Sequence, residues 1–300
     1  MADGRRLNID VADGISQLRA YMKQIEVKTK RYNLFFRGRS FDFDGYRPYN
    51  ADDDSTFIDW RTSYRANKLM MKKYKDEQKL KFLFVIDVGE NMILGSKGKL
   101  KCEYSAEVIL SLAYLMLSLG HKVGYVLFSD KIKEYSIPFA GFNGFYVLSD
   151  LLSNPETYGG SSQLNLALDF ALNNFDASLS SVILVSDFIG LNKRNMKHSL
   201  DLISNKFETF AFIVKDPLDR QLPDVRGEFM VEDPKSGQQI LVEPSLARKS
   251  YEIYSLKQES FVKESFKGNS IDFLDMLTTE PWALKVSNFL KERAHGRSFG

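Results

Sequence analysis

Between residues 80 and 215, apolar and polar positions alternate in blocks. Four runs of near-continuous apolar residues, LKFLFVID at 80–87, KVGYVLFS at 122–129, SVILVSD at 181–187 and FETFAFIV at 207–214, each end in a polar loop. Stretches of helical spacing lie between them at 103–119, 144–153, 163–174 and 195–204. Runs that are apolar on both faces predict the central strands of a parallel sheet covered by helices. KIKEYSIP at 131–138 follows the second run after only a Ser-Asp turn. That connection is too short for a parallel crossover, so it predicts an antiparallel edge strand. The predicted class is α/β: a doubly wound, mainly parallel sheet with one antiparallel edge strand.

The flanks follow different patterns. Ile15, Leu18, Met22 and Ile25 fall at helical spacing and predict an amphipathic helix over 14–30. The next segment is polar, Asp-rich and aromatic, without clean periodicity. It is expected to pack on the following domain through Tyr46, Tyr49, Phe57 and Trp60. After residue 215, FMVED and QQILVE flank a Pro-Lys-Ser-Gly turn and predict a β-hairpin. Helices are expected over 245–266, 270–278 and 281–294. The domain expectation is an N-terminal segment at 1–78, a core at 79–215 and a hairpin-plus-helix extension at 216–300.

Composition narrows the function classes. The 300 residues are 44% hydrophobic and 27% charged with a net charge of +2, an ordinary globular balance that gives no reason to expect a nucleic-acid partner. The basic run over 68–81 is interrupted by Asp76 and Glu77 and reads as a solvated face. Cys102 is the single cysteine, which excludes an internal disulfide and a multi-thiolate zinc site. The start MADGRRLNID has no apolar core of a secretory signal, and VILSLAYLMLSL is far shorter than the ~20 residues of a membrane helix. A cytoplasmic setting is expected.

In doubly wound sheets ligands bind at the carboxyl ends of the strands. Three loops are expected on that rim: DVGEN after the first strand, GGSSQ before a helix, and SDF after the third central strand. Asp87, Asn91, Ser162 and Asp187 could supply oxygens to a hard cation such as Mg²⁺, and Gly89 could not. The alternative is that both aspartates only cap loops and helices. Two buried like charges without a cation would raise at least one pKa, unless a basic side chain relieved them.

The pattern resembles the metal-ion-dependent adhesion site of von Willebrand factor A domains, D-x-S-x-S followed by a Thr in a Gly-Gly-Thr-type loop and a later Asp. Asp87 and Asp187 match its carboxylates, Ser162 takes the Thr position, and Gly89 and Asn91 replace the serines. The resemblance implies a degenerate site with weak or absent binding of Mg²⁺ or Mn²⁺, which Gly89→Ser with Asn91→Ser should strengthen. A second resemblance is wider. RPYNADDDSTFIDWRTSYR is similar to a signature of the domain-of-unknown-function 58 family, through Arg47, Tyr49, Asp53, Asp54, Ile58, Asp59, Trp60, Ser63 and Arg65. Ala51, Asp52, Thr56 and Tyr64 depart from it. Asp216, Pro217, Leu222 and Pro223 resemble a further element of that family. The resemblance implies a von Willebrand A-like fold and an association with a MoxR-type AAA+ ATPase in assembling or activating other proteins.

Two roles stay open for the signature residues. Trp60 could cover the sheet edge beside an Asp59–Arg61 ion pair, or Asp53, Asp54, Asp59, Trp60 and Arg61 could bind a partner. The leading expectation is a non-enzymatic interaction module. The alternative is a Mg²⁺-dependent hydrolase or phosphoryl-transfer enzyme using the same carboxylates. Against it, no P-loop, nucleophile elbow or H-E-x-x-H motif occurs, and none of His121, His198 or His295 is tied to the rim by spacing.

Overall fold

The computed structural model describes residues 6–26, 43–50, 53, 55, 58–74, 79–189, 193–223, 227, 229–232 and 239–294. Its elements begin with α1 (Val11–Glu26), β1 (Phe43–Pro48), α2 (Trp60–Ala66) and β2 (Met70–Tyr74). Next come β3 (Lys81–Asp87), α3 (Lys101–Ser118), β4 (Lys122–Phe128), β5 (Ile132–Phe139), α4 (Asn143–Ser153) and α5 (Leu164–Asn174). They are followed by β6 (Ser181–Ser186), α6 (Lys193–Lys206), β7 (Glu208–Lys215) and α7 (Pro217–Arg220). The chain ends with β8 (Phe229–Glu232), β9 (Gln239–Val242), α8 (Pro244–Gly268), β10 (Asp272–Leu277) and α9 (Trp282–Ala294).

Six strands form the main sheet in the order β10-β7-β6-β3-β4-β5. Every neighbouring pair is parallel except β4–β5, the expected antiparallel edge. Side chains alternate across the sheet, as the strand period dictates. Phe82, Phe84 and Ile86 of β3 enter a core with α1, α3, α4 and α9, whereas Leu83 and Val85 enter one with α5, α6 and α8. α3 is buried almost throughout, which explains its lack of a polar face. α1 closes over it at such short range that a Cβ on Gly14 would lie 2.6 Å from Ser111 Oγ and 2.9 Å from the Trp282 ring. Residues 27–30 of the expected first helix lie outside the described residues.

One expectation needs correction. Residues 270–278 were expected to be a helix, and instead Asp272–Leu277 is the sheet's outer strand, parallel to β7. Ile271 and Phe273 fill the core on one face, and Leu274 and Met276 fill it on the other. Two aspartates interrupt this alternation and disguise it in the sequence, but both are ion-paired. Asp272 bonds Arg293 of α9, and Asp275 Oδ2 accepts from Arg220 at 2.6 Å and Lys263 at 2.8 Å. The sixth strand therefore comes from the region that reads as an extension. The hairpin β8–β9 forms as expected, in the register Phe229↔Val242 to Glu232↔Gln239. Among the described residues, no helix is long and apolar enough to cross a membrane.

The sheet order fixes where its winding reverses. From β3 the chain moves outward to β4 and β5, then returns on the other side of β3 as β6 and continues to β7 and β10. The reversal lies between β3 and β6, where such sheets open a crevice at the strands' carboxyl ends. Asp87 ends β3, and Asp187 immediately follows β6.

Candidate functional site

Backbone bonds lace the rim together. Gly159 N donates to Val88 O, Glu90 N to Gly160 O, and Gln163 N to Ser129 O, so the loops after β3 and before α5 are held side by side. Gly160 has φ +83°, and a Cβ there would lie 2.6 Å from Asp130 Oδ1, so glycine is required at this crossing. This clamp delivers Ser162, whose Oγ donates to Asp87 Oδ2 at 2.7 Å. Ser186 Oγ donates to the same oxygen at 2.6 Å, and Gly89 N donates to Asp87 Oδ1 at 2.8 Å. Asp87 is 1% exposed and has only neutral donors. Burial, together with the neighbouring charge of Asp187, outweighs those three hydrogen bonds and raises its pKa to about 6.

Asp187 is bound differently. Its Oδ1 accepts from Ile189 N at 2.9 Å, and its Oδ2 accepts from Lys101 Nζ at 2.7 Å. The turn that presents it contains Phe188 at φ +53°, uncommon for a bulky residue. Phe188 is pinned edge-on against Phe266 with ring centroids 5.0 Å apart, and its N–H donates to Ser186 Oγ. Lys101 opens α3 and is 1% exposed. Its ammonium also donates to Asp219 Oδ2 at 3.0 Å and Oδ1 at 3.2 Å. Burial lowers the pKa of Lys101, but the charges of Asp187 and Asp219 outweigh it, and the net direction is upward.

The Asp216-Pro217 element explains how Asp219 arrives. Asp216 caps α7 by accepting from Leu218 N at 2.9 Å, with Pro217 in the first turn, and Asp219 accepts back from Asp216 N at 2.8 Å. Asp216 Oδ2 also accepts from Ser96 N at 2.8 Å, tying this cap to the loop after β3. Three neighbouring strand ends thus meet at Lys101. Lys215, at the end of β7, is buried beside the same carboxylates, and that burial lowers its pKa. Cys102 is also buried. Burial and then the charge of Glu103 push its thiol up to about 12, which suits a packing residue.

The structure therefore brings Asp87, Ser162 and Asp187 to one rim. Asn91 lies in the short 3-10 turn Glu90–Ile93, and among the described residues no hydrogen bond joins its amide to either carboxylate. Lys101, Ser186 and Asp219 were missed. Ser186 adjoins Asp187 in the strand-end SDF and could have been found there, whereas Lys101 lies 86 residues from Asp187 and 118 from Asp219. The donor set does not fit a divalent cation. Gly89 offers no side-chain oxygen, Asn91 is not joined to the carboxylates, and an ammonium already holds Asp187. Among the described residues, no three His, Cys, Asp or Glu side chains are grouped to hold a metal.

The signature segment has its own order. Arg47 grips Asp53 through two bonds of 2.6 and 2.7 Å. Asp59 caps α2 by accepting from Thr62 N at 2.9 Å, which lowers its pKa, and Ser63 Oγ bridges both backbone groups of Met70. Trp60 does not cover the sheet edge. It is 68% exposed, Tyr64 one turn on is 90% exposed, and Arg61 beside them is exposed. Ser63, tied to Met70, is the buried residue of α2, while Trp60 and Tyr64 project to solvent. Tyr46 is partly covered, at 42% exposure, with its hydroxyl 3.5 Å from Asp59 Oδ2. Asp54 and Phe57 lie outside the described residues.

Comparison with known proteins gives one family match. The family described as "Protein of unknown function DUF58" matches residues 45–260. No curated protein matches. Among solved structures, BatB from Bacteroides thetaiotaomicron is similar at 12% identity, covering 72% of this chain and 99% of that one, with a TM-score of 0.49. An aerotolerance-related membrane protein from Bacteroides fragilis gives 12% identity, 72% and 99% coverage and a TM-score of 0.49. The SpRpn10 VWA domain gives 10% identity, 70% and 95% coverage and a TM-score of 0.40.

Proposed function

The chain belongs to the DUF58 family, and from that premise we propose that it is a non-enzymatic protein-interaction module of von Willebrand A type. Its rim at the β3–β6 reversal is a degenerate metal-ion-dependent adhesion site. It works in the cytoplasm with a MoxR-type AAA+ ATPase in the assembly or activation of other proteins. The observation that carries this reading is the closure of the rim. Asp87 and Asp187 are fixed by hydroxyl, amide and ammonium donors. That arrangement suits loops that hold a partner better than a base held ready for a substrate proton.

The partner-binding set centres on Trp60 and Arg61, which offer an aromatic and a cationic contact on one exposed helix. Asp53 and Asp59 position that helix and its entry, and Asp54, outside the described residues, completes the proposed set. The test is capture of the purified MoxR-type ATPase of the same host by the tagged full chain, with and without nucleotide. Capture by the wild type and loss with Trp60→Ala and Arg61→Ala together is the expected result. Failure to capture in every nucleotide state sinks the reading. Metal-dependent hydrolysis of a phosphate ester, lost in Asp87→Ala, would move the case to the enzyme.

A further inference from the structure

We infer that Lys101 is the resident cation of this rim: its ammonium takes over the charge neutralisation that a divalent metal would supply and makes the site independent of metal. The inference rests on reading the rim as an adhesion-site relic, and not on the identity of any partner.

Four observations carry it. First, the ammonium is buried and saturated: its three hydrogens face three carboxylate oxygens, one on Asp187 and two on Asp219. A lysine head in the interior is unfavourable without such pairing, so its position is set by the carboxylates. Second, it stands in the first turn of an 18-residue helix, where the helix dipole disfavours a positive charge. The local helix therefore does not favour a cation there, and only the contacts across the rim do. Third, a metal on Asp187 would sit within a few ångströms of this ammonium, in a setting that screens their repulsion poorly.

The fourth observation concerns the missing serines. A Cβ on Gly89 would lie 3.0 Å from Asp87 Oδ1 and 3.2 Å from both Gly160 O and Ser162 N. Gly89 has φ −65°, which a serine can adopt, so the loop must yield only slightly to admit one. Restoring the hydroxyls is thus feasible, yet it leaves Lys101 in place. The expectation that Gly89→Ser with Asn91→Ser suffices to strengthen metal binding is revised accordingly: the ammonium must go as well.

The test uses the purified full chain and Mn²⁺, with binding read by electron paramagnetic resonance and calorimetry, and Tm read with Mn²⁺ or with chelator. The wild type should bind no Mn²⁺ and keep its Tm in chelator. The Gly89→Ser, Asn91→Ser chain should behave likewise. Adding Lys101→Met to those two changes should produce one bound Mn²⁺ and a Tm that rises with Mn²⁺. If that triple variant does not fold, adding Asp219→Asn removes an opposing charge and carries the same measurement. Stoichiometric Mn²⁺ on the wild type or on the serine-restored chain overturns the inference. So does a folded Lys101-free chain that takes up none, because the missing donors alone would then exclude the metal. None of these readings requires the ATPase, so failure of the partner assay leaves them intact.

Discussion

Asp87 and Asp187 sit at the ends of adjacent parallel strands, both almost without solvent, and are stabilised by opposite means. Asp87 has two hydroxyls and one amide, and its pKa rises to about 6. Asp187 has one amide and an ammonium shared with Asp219. Three neutral donors do not fully replace the water that Asp87 loses, and the charge of Asp187 adds to the rise. One half of the rim is held as a fixed ion pair, and the other half as an acid that titrates below neutrality.

The largest expected effect comes from removing the cation. Lys101→Met leaves two buried carboxylates unpaired and should destabilise the chain by about 3–5 kcal/mol in urea denaturation. In an Asp187→Asn background the same change should cost less than half as much, because one buried charge is already gone. Equal losses in the two backgrounds would show that Lys101 contributes only packing, and the comparison would collapse.

Next in size is the pH response of Asp87. Its pKa in the folded chain is about 6 against an ordinary 3.8, so the folded state holds this proton more tightly than the unfolded state does. Its contribution to stability is therefore greatest below pH 4, declines as pH rises through 4 to 6, and is lost above 6, a swing of about 2–3 kcal/mol. Asp87→Asn should remove that slope and leave the chain about 1–2 kcal/mol more stable than wild type at pH 7.5. The readout is the difference between the two denaturation midpoints across this range. Subtraction matters because Glu259 works in the other direction. Burial raises its pKa, but Lys263 and Arg220 together hold it down at about 2, so its stabilisation is lost in acid. A constant difference between the two chains from pH 4 to 7.5 would remove the asymmetry.

How much of this was legible follows from the range of each interaction. β3, β4, β6 and β7 announce themselves because a strand buried on both faces must be apolar along its length. Asp87 and Asp187 follow, as the first acids beyond such runs, and the glycine pair marks the loop that brings Ser162. β10 did not announce itself, because Asp272 and Asp275 break its run and their cations come from α7, α8 and α9. Lys101 was hidden for the same reason, and also because α3 seemed to begin at residue 103, which left this lysine in a loop. Its meaning depends on two acids far along the chain, which no local period encodes.

A smaller effect separates the two hydroxyls on Asp87. Ser186 is 2% exposed and also receives the Phe188 N–H, so Ser186→Ala removes one bond to the carboxylate and strands a donor beside a left-handed residue. A loss of about 1–3 kcal/mol is expected. Ser162 is only half-buried, water can replace it, and Ser162→Ala should cost about 1 kcal/mol or less. Both changes remove a bond that lowers the pKa of Asp87, so the window found for wild type should move upward, further for Ser186→Ala. Equal shifts would mean that the buried and exposed sides of this carboxylate are solvated alike.

The smallest effect on stability should come from the most conspicuous residue of the family signature. Trp60 is 68% exposed, and the structural duties of its segment fall on Asp59, Ser63 and the Arg47–Asp53 pair. Trp60→Ala should therefore leave the denaturation midpoint within about 0.5 kcal/mol of wild type. Asp59→Ala removes the cap of α2 and should lower the midpoint more than Trp60→Ala does. If partner capture falls in Trp60→Ala while stability holds, the ring serves an interface and the cap serves the fold. If the Trp60 chain is destabilised as much as the Asp59 chain, the ring is holding its own segment together, and exposure at this position says nothing about a partner.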